Sequence, residues 1–359
     1  MISINTKNIG EVTVPLRPLL IFMVVITHIP WTYYNANIRG FELSPSSFLM
    51  TFITFVLASS AVPTLSVISG YFAWSSYQKR GYTPLILQKV KTLLLPMLLW
   101  NGIMILIIIW KQQQNLPLRT DLPLAGGSLF TYFKAFTGIM ALPANGPLYF
   151  LHDLMLCFFL IPIIALITNK KIIGTLFALA LIAMTVALIN PPFFTRVDIL
   201  AWFVLGFYYA RHGWPTSWAI DTTTVRTLTF LYLSIAGAAT FYCLWVKPEN
   251  YLEYQKLVNI FGPITILATA VFLAGNRLFQ FLSPLSKYSF SVFLCHVPVI
   301  FLVSEAWGYL THTHISKSLF FGPVTVAICI AATAFLCFHA NRVFRNILHR
   351  GSNAIFHKP

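Results

Sequence analysis

The stretch from Pro84 to Trp110 reads PLILQKVKTLLLPMLLWNGIMILIIIW, and from Leu93 onward it contains no charged residue. A helix crosses a hydrocarbon core of about 30 Å with roughly 20 apolar residues, so this stretch is long enough to span a bilayer. Similar stretches recur along nearly the whole chain, in which 57% of the 359 residues are hydrophobic and 9% are charged. Ordinary soluble domains contain about 25% charged residues. The composition therefore excludes a water-soluble fold.

The apolar pattern predicts an all-α, polytopic integral membrane protein with about ten transmembrane helices in one domain over residues 1–359. The predicted spans are residues 14–33, 47–73, 84–110, 147–167, 172–189, 196–211, 224–246, 256–275, 284–303 and 319–341. The connection between the third and fourth spans contains an apolar patch at residues 129–142, which either lies in the membrane interface or re-enters the membrane.

The distribution of Lys and Arg predicts the orientation of these spans. With the N-terminus in the cytoplasm, 16 basic residues lie inside and 8 lie outside, so the positive-inside rule predicts that both termini are cytoplasmic. The net charge of +15 is spread over short connections and forms no single basic patch, which argues against a nucleic-acid partner. The five cysteines lie in apolar segments without the close spacing of metal ligands, so no metal site is predicted.

Ionisable residues inside membrane spans cost about 2.5 to 3.5 kcal/mol each, and they are functional candidates for that reason. Depth along the predicted spans sorts the polar candidates into two groups. The inner group contains Arg17, Ser69, Gly70, Tyr71, Lys89 and Lys91. The outer group contains His28, His152, Asp153 and His296. Asp198 and Glu305 are expected at the membrane interface, because both lie at outer ends of spans.

These two groups suit a transfer reaction across the membrane. Arg and Lys bind phosphate through charge-assisted hydrogen bonds, so the inner group can hold a phosphorylated cytosolic donor. Ser69 adds a hydroxyl, and Gly70 allows close backbone approach to a ligand. A neutral histidine in the outer group can accept the proton of an attacking hydroxyl, and Asp153 can orient a histidine.

Each of these signals also has a structural alternative that the sequence leaves open. The alternatives are interfacial anchoring for Arg17, Lys89 and Lys91, a structural hydrogen bond for His28, a helix-start pair for His152 and Asp153, repair of a proline-broken backbone for His296, and helix packing for Gly70. No single residue decides between the two interpretations.

Four motifs in order along the chain carry a family resemblance. They are Arg17–His28 in RPLLIFMVVITH, residues 68–72 in ISGYF, residues 146–154 in GPLYFLHDL and residues 288–298 in YSFSVFLCHVP. Together they resemble the acyltransferase-3 family of membrane acyltransferases, whose first helix carries a basic residue and a histidine separated by ten residues. The chain departs from the family pattern in helix 3, where Lys89 and Lys91 stand for a pair of arginines, and before Asp153, where His152 replaces an arginine.

The resemblance implies an enzyme that takes an acyl group from a cytoplasmic donor, usually acetyl-CoA, to a sugar or lipid-linked glycan at the outer face of a bacterial inner membrane. It implies that His28 is the proton-transfer residue or a transient acyl carrier, and that Arg17 binds the donor or positions His28. No permanently bound cofactor is expected. The expected partners are the glycan or lipid-linked saccharide acceptor, membrane lipid and glycan-synthesis proteins.

Two other classes of function remain open from the sequence. A transporter of a small solute or lipid-linked sugar would use the same polar residues as a proton relay. The sequence contains no internal repeat, which weakens that alternative. A non-catalytic membrane assembly partner is the third class.

Overall fold

The computed structural model describes residues 6–28, 45–53, 58–114, 122–213, 221–246 and 251–311, together with Phe335, His339 and Arg342. Every regular element in these residues is helical, and none of them is a strand. The predicted all-α class is therefore confirmed for this part of the chain.

The helices of the first half are α1 (Thr6–His28), α2 (Pro45–Ile53), α3 (Ala61–Arg80), α4 (Tyr82–Lys89), α5 (Leu95–Gln113), α6 (Leu129–Thr137) and α7 (Tyr149–Phe159). The second half contains α8 (Ile161–Ile167), α9 (Lys171–Val186), α10 (Val197–His212), α11 (Thr222–Trp245), α12 (Tyr251–Phe272), α13 (Arg277–Gln280) and α14 (Ser286–Thr311). Short 3₁₀ turns at Gly146–Leu148 and Ser283–Leu285 precede α7 and α14.

Five helices in the described residues are long and apolar enough to cross a membrane. They are Gly10–His28, Tyr82–Gln113, Thr222–Trp245, Glu253–Phe272 and Arg277–Leu302. A sixth would be the pair Gly146–Phe159 and Ile161–Ile167, which is bent by 59°. The count of ten spans and their orientation stay predictions, and the predicted span at 319–341 lies outside the described residues except for single positions.

Two predicted spans differ from the helices that the structure shows. The span predicted at 47–73 contains two helices, because α2 ends at Ile53 and α3 begins at Ala61 after a turn at Ser59 and Ser60. The predicted span at 84–110 is one apolar helix with a π-helical turn at Val90–Leu94. Pro96 has no N–H to donate to the carbonyl of Thr92, four residues earlier. Just before it, the N–H of Leu95 donates to the carbonyl of Val90, five residues earlier, which is the π-helical hydrogen bond.

Helices α3 and α10 are the most closely packed pair in the described chain. A Cβ placed on Gly70 would lie 1.9 Å from the Phe203 carbonyl oxygen, and one on Gly206 would lie 2.0 Å from the Val67 carbonyl oxygen. The two glycines therefore let the two backbones touch, as small residues do between membrane helices. Helix α1 packs against α3, α12 and α14, and its buried side chains join the central apolar core.

Candidate functional site

Arg17 and His28 lie on one continuous helix, α1. Eleven residues at about 1.5 Å each separate their Cα atoms by roughly 16 Å along the axis. Eleven steps of about 100° complete three turns with roughly 20° left over, so the two side chains leave the same face of the helix. The cation and the histidine therefore lie at two depths of one surface.

His28 is held by its own helix. Its Nδ1 lies 2.8 Å from the Val24 carbonyl oxygen and 2.9 Å from the Thr27 hydroxyl oxygen. Because a carbonyl oxygen can only accept, we assign the Nδ1 proton to the bond with Val24. Nε2 then carries the lone pair, and the half-buried ring is a neutral base whose basic nitrogen is turned away from its own backbone.

His296 of α14 is the group that the structure brings to His28. The two ring centroids are 5.1 Å apart, and the ring planes are inclined by 64°. His296 is fully buried, and its Nδ1 lies 2.7 Å from the Phe293 carbonyl oxygen. The same argument leaves the lone pair of His296 on Nε2. The contact joins the first motif to the last across the interface of α1 and α14.

The carbonyl that Pro298 leaves unpaired is satisfied by a residue other than His296, although His296 Nδ1 does bond to the Phe293 carbonyl of the same helix. Pro298 lacks the N–H that would pair with the carbonyl of Leu294, four residues earlier. The Asn145 side chain fills that role, since its Nδ2 donates to the Leu294 oxygen at 3.2 Å. Asn145 was not singled out from the sequence, although it directly precedes the GPLYFLHDL motif.

His152 and Asp153 form a second pair in the first turns of α7. The His152 Nδ1 lies 2.9 Å from Asp153 Oδ1. Asp153 also accepts backbone N–H groups from Thr195 at 3.0 Å and from Arg196 at 2.8 Å. The carboxylate is fully buried, so it orients the neighbouring histidine and anchors the residues that precede α10. These partners lie outside α7, which the helix-start interpretation does not explain.

The predicted donor end of α1 gathers positive charge. Lys89 Nζ lies 4.6 Å from the centroid of the Phe158 ring, and the guanidinium groups of Arg17 and Arg80 are close enough to repel its ammonium. Arg17, Arg80 and Lys91 are exposed. Arg80, the last residue of α3, belongs to this cluster, and it is not among the site residues predicted from the sequence.

The Ser69–Gly70–Tyr71 segment is placed in α3. Ser69 and Tyr71 are half-buried, and the Tyr71 ring packs edge-on against Phe72 with centroids 5.6 Å apart. The Phe203 backbone lies against Gly70. This contact agrees with the alternative that Gly70 serves helix packing. A part for this segment in donor binding stays a prediction.

Asp198 is fully buried inside the protein, and its expected depth at the membrane interface stays a prediction. Its carboxylate accepts Arg196 Nε at 3.0 Å and Nη2 at 2.5 Å, and it lies 2.9 Å from Lys256 Nζ. Arg196 also donates to the Tyr149 hydroxyl at 2.8 Å. This ion cluster ties α7, α10 and α12 together around the segment that Asp153 holds. The side chain of Glu305 lies outside the described residues.

Comparison with known proteins decides the family. The acyltransferase-3 family model, described as an acyltransferase domain, matches residues 16–338. The chain belongs to this family. It is also 28% identical over 324 residues to the succinoglycan biosynthesis protein ExoH of Rhizobium meliloti (strain 1021), covering 88% of this chain and 86% of that protein. No solved structure matches the chain at a significant level.

The family and the apolar helices together identify an integral membrane acyltransferase. The family match runs through all four motifs quoted above, so the resemblance of the sequence is confirmed. In the described part of the chain, no group of three or more His, Cys, Asp or Glu side chains is placed to hold a metal ion.

Proposed function

We propose that this protein is a membrane O-acyltransferase that moves an acetyl or other short acyl group from acyl-CoA to a hydroxyl of a cell-surface or lipid-linked glycan. The family supplies the reaction class, and the similarity to a succinoglycan biosynthesis protein supports a polysaccharide acceptor. The proposal includes a bacterial inner-membrane location, cytoplasmic termini and no permanently bound cofactor.

The observation that carries this proposal is the state of His28. Its Nδ1 is bound to the Val24 carbonyl, so its Nε2 is available as a base. The ring lies at the end of α1, on the face that carries Arg17 three turns away. A base and a phosphate-binding cation at these two depths match a donor whose phosphates and thioester are joined by a long flexible arm.

The chemical step balances with His28 as the base. The acceptor oxygen attacks the thioester carbonyl while His28 Nε2 takes the hydroxyl proton. The carbon–sulfur bond breaks, the ester forms, and the thiolate of CoA leaves. The imidazolium then returns its proton to the sulfur, which gives free CoA thiol and neutral His28.

The remaining residues have supporting roles in this proposal. Arg17 binds the phosphates of the donor, with Lys89 and Arg80 adding positive charge beside it. His296 packs against His28 and limits its ring orientation. Asp153 positions His152 and the segment before α10, and it does not touch the reacting atoms.

Acyl labelling of membranes tests the proposal directly. Membranes that contain the protein are incubated with acetyl-CoA radiolabelled in the acetyl group, and the extracted glycan is counted. The proposal expects label in the glycan that mild base removes as acetate, because an O-ester is base-labile. A transporter or an assembly partner would leave the glycan unlabelled in membranes where the protein is the only added component, and that result contradicts the proposal.

A further inference from the structure

Six buried side-chain polar atoms in the described residues have no hydrogen-bond partner; those of Thr51 and Asn259 lie on α2 and α12, and the other three lie on or beside α7 and α14. These three are Asn145 Oδ1, His152 Nε2 and His296 Nε2, on side chains that are 0%, 6% and 0% exposed. Buried polar atoms are normally paired, and each unpaired one in a native structure calls for an explanation. A bound ligand that supplies the missing partners is one such explanation.

These three atoms belong to one junction of the fold. Asn145 Nδ2 donates to the carbonyl of Leu294, two residues before His296 on α14. The Phe293 ring contacts both the His296 ring and the Phe150 ring, with centroid distances of 5.8 and 5.7 Å. The His152 ring and Pro143 both lie 3.5 Å from the position of a Cβ on Gly138, so His152 packs beside the segment that leads to Asn145. The start of α7 and the middle of α14 therefore meet where His296 touches His28.

The three atoms have the same hydrogen-bonding character. Asn145 Oδ1 is an amide oxygen, which only accepts. The Nδ1 atoms of His152 and His296 face the Asp153 carboxylate and the Phe293 carbonyl, so each carries the proton and leaves Nε2 as an acceptor. His28 Nε2 is an acceptor for the same reason. A ligand that satisfies them must bring several donors.

We propose that Asn145, His152 and His296 form the acceptor subsite of this acyltransferase, and that the subsite takes a neutral sugar through its hydroxyl groups. Adjacent sugar hydroxyls supply several O–H donors within a few ångströms. The oxygens of a carboxylate or phosphate are hydrogen-bond acceptors, so they cannot pair with three protein atoms that also only accept. The proposal rests on the proposed function, and it names the substrate class of that same site.

Asn145 is fixed for this role by its other atoms. Its backbone N–H donates to Asn101 Oδ1 at 3.2 Å, and Asn101 Nδ2 in turn donates to the carbonyl of Phe136 at 2.8 Å. With Nδ2 held by Leu294, the amide orientation is set and Oδ1 is left for the ligand. Asn101, which does not reach the ligand in this scheme, is a positioning residue.

The first experiment separates ligand binding from backbone repair. Asn145→Ala removes the acceptor oxygen and also the bond to the Leu294 carbonyl, while Pro298→Ala restores an N–H that can satisfy that carbonyl. The double variant Asn145→Ala/Pro298→Ala is compared with Pro298→Ala alone in the acetyl-CoA labelling assay, with the amount of membrane glycan varied. We expect the KM for glycan to rise roughly 5- to 100-fold, the range expected for one lost buried hydrogen bond, with the KM for acetyl-CoA unchanged.

If the double variant has the same KM for glycan as Pro298→Ala alone, Asn145 only repairs the backbone. That result would overturn the proposal. An equal rise in both KM values would overturn it as well. Thr185→Val serves as the matched control, since Thr185 is a buried polar side chain of α9 whose hydroxyl donates to its own helix. Its kinetic constants are expected to stay at the parental values.

The second experiment uses the unmodified protein and tests the hydroxyl preference. Methyl β-glucoside and methyl β-glucuronide are added as competitors of glycan labelling, because they differ chiefly in a carboxylate. We expect the neutral glycoside to inhibit at concentrations at least tenfold lower. Inhibition by the glucuronide at equal or lower concentration contradicts a subsite lined only by hydrogen-bond acceptors. Inhibition by neither compound contradicts it as well. Failure of the proposed function is distinguishable, because the unmodified protein would then label no glycan without any competitor.

Discussion

The imidazole rings of His28 and His296 lie edge to face, with centroids 5.1 Å apart. Each ring is tied through Nδ1 to a carbonyl of its own helix, at Val24 in α1 and at Phe293 in α14. Both rings are therefore fixed while both Nε2 atoms keep a lone pair. The contact joins the two histidines of the first and last family motifs, and it places a base beside a buried polar junction.

Arg17→Ala is expected to raise the apparent KM for acetyl-CoA several-fold while the KM for the glycan stays constant. The reason is that Arg17 lies at the cationic end of α1, three turns from His28, where phosphates would bind. The double variant Lys89→Ala/Lys91→Ala should have a smaller effect, since Lys91 is exposed and Lys89 packs over Phe158. Initial rates at varied donor concentration check both. An unchanged donor KM in Arg17→Ala would remove that residue from the donor site.

Asp153→Asn is expected to lower the stability of the protein by about 1 to 3 kcal/mol, because one of its buried hydrogen bonds loses its acceptor. Its loss of activity should be smaller than that of a His28 variant. The measurement is the thermal unfolding midpoint of the detergent-purified protein. Asp221→Asn is the matched control, because Asp221 caps α11 at an exposed position where Asn caps equally well. Equal midpoints for the two variants would contradict the role of Asp153 as an anchor.

Gly70→Ala is expected to destabilise the pairing of α3 with α10 by about 1 to 3 kcal/mol, since its new methyl group would lie 1.9 Å from the Phe203 carbonyl oxygen. Gly237→Ala should be tolerated, because the nearest atom to a Cβ there is 3.9 Å away on the Phe52 ring. Comparison of the unfolding midpoints of the two variants checks the packing. A Gly70→Ala protein as stable as the parent would mean that the two helices pack less closely.

Reporter fusions test the topology. The 16-to-8 distribution of Lys and Arg predicts that a cytoplasmic reporter fused to the C-terminus is active and that a periplasmic reporter at the same position is inactive. A fusion near residue 130, in the connection that contains α6, should give the opposite pattern. The reverse activity at the C-terminus would rule out an even number of spans with the N-terminus inside.

Much of the fold and part of the site could be predicted from sequence. The apolar stretches predict helices, and the spacing of Arg17 and His28 alone places them on one face of α1 at two depths. The motif order along the chain was sufficient to predict the family. These features are local, or they are fixed by the regular geometry of a single helix.

The features that depend on tertiary packing could not be predicted. Nothing in the sequence of α1 shows that His296 lies beside His28, since the contact depends on how α1 and α14 pack. Pro298 shows that one carbonyl of α14 loses its partner, but not that Asn145 supplies the replacement. The position of Asp198 at the end of a predicted span does not show that packing buries it between Arg196 and Lys256.

The most direct test of the account is acetyl transfer by a His28→Ala protein that is inserted and folded. General base catalysis contributes typically 10² to 10⁴-fold, so the account predicts a loss of glycan labelling in or above that range. The amount of protein in the membrane and its unfolding midpoint should match those of the parent. A His28→Ala protein that labels its glycan within a few-fold of the parental rate would contradict the account.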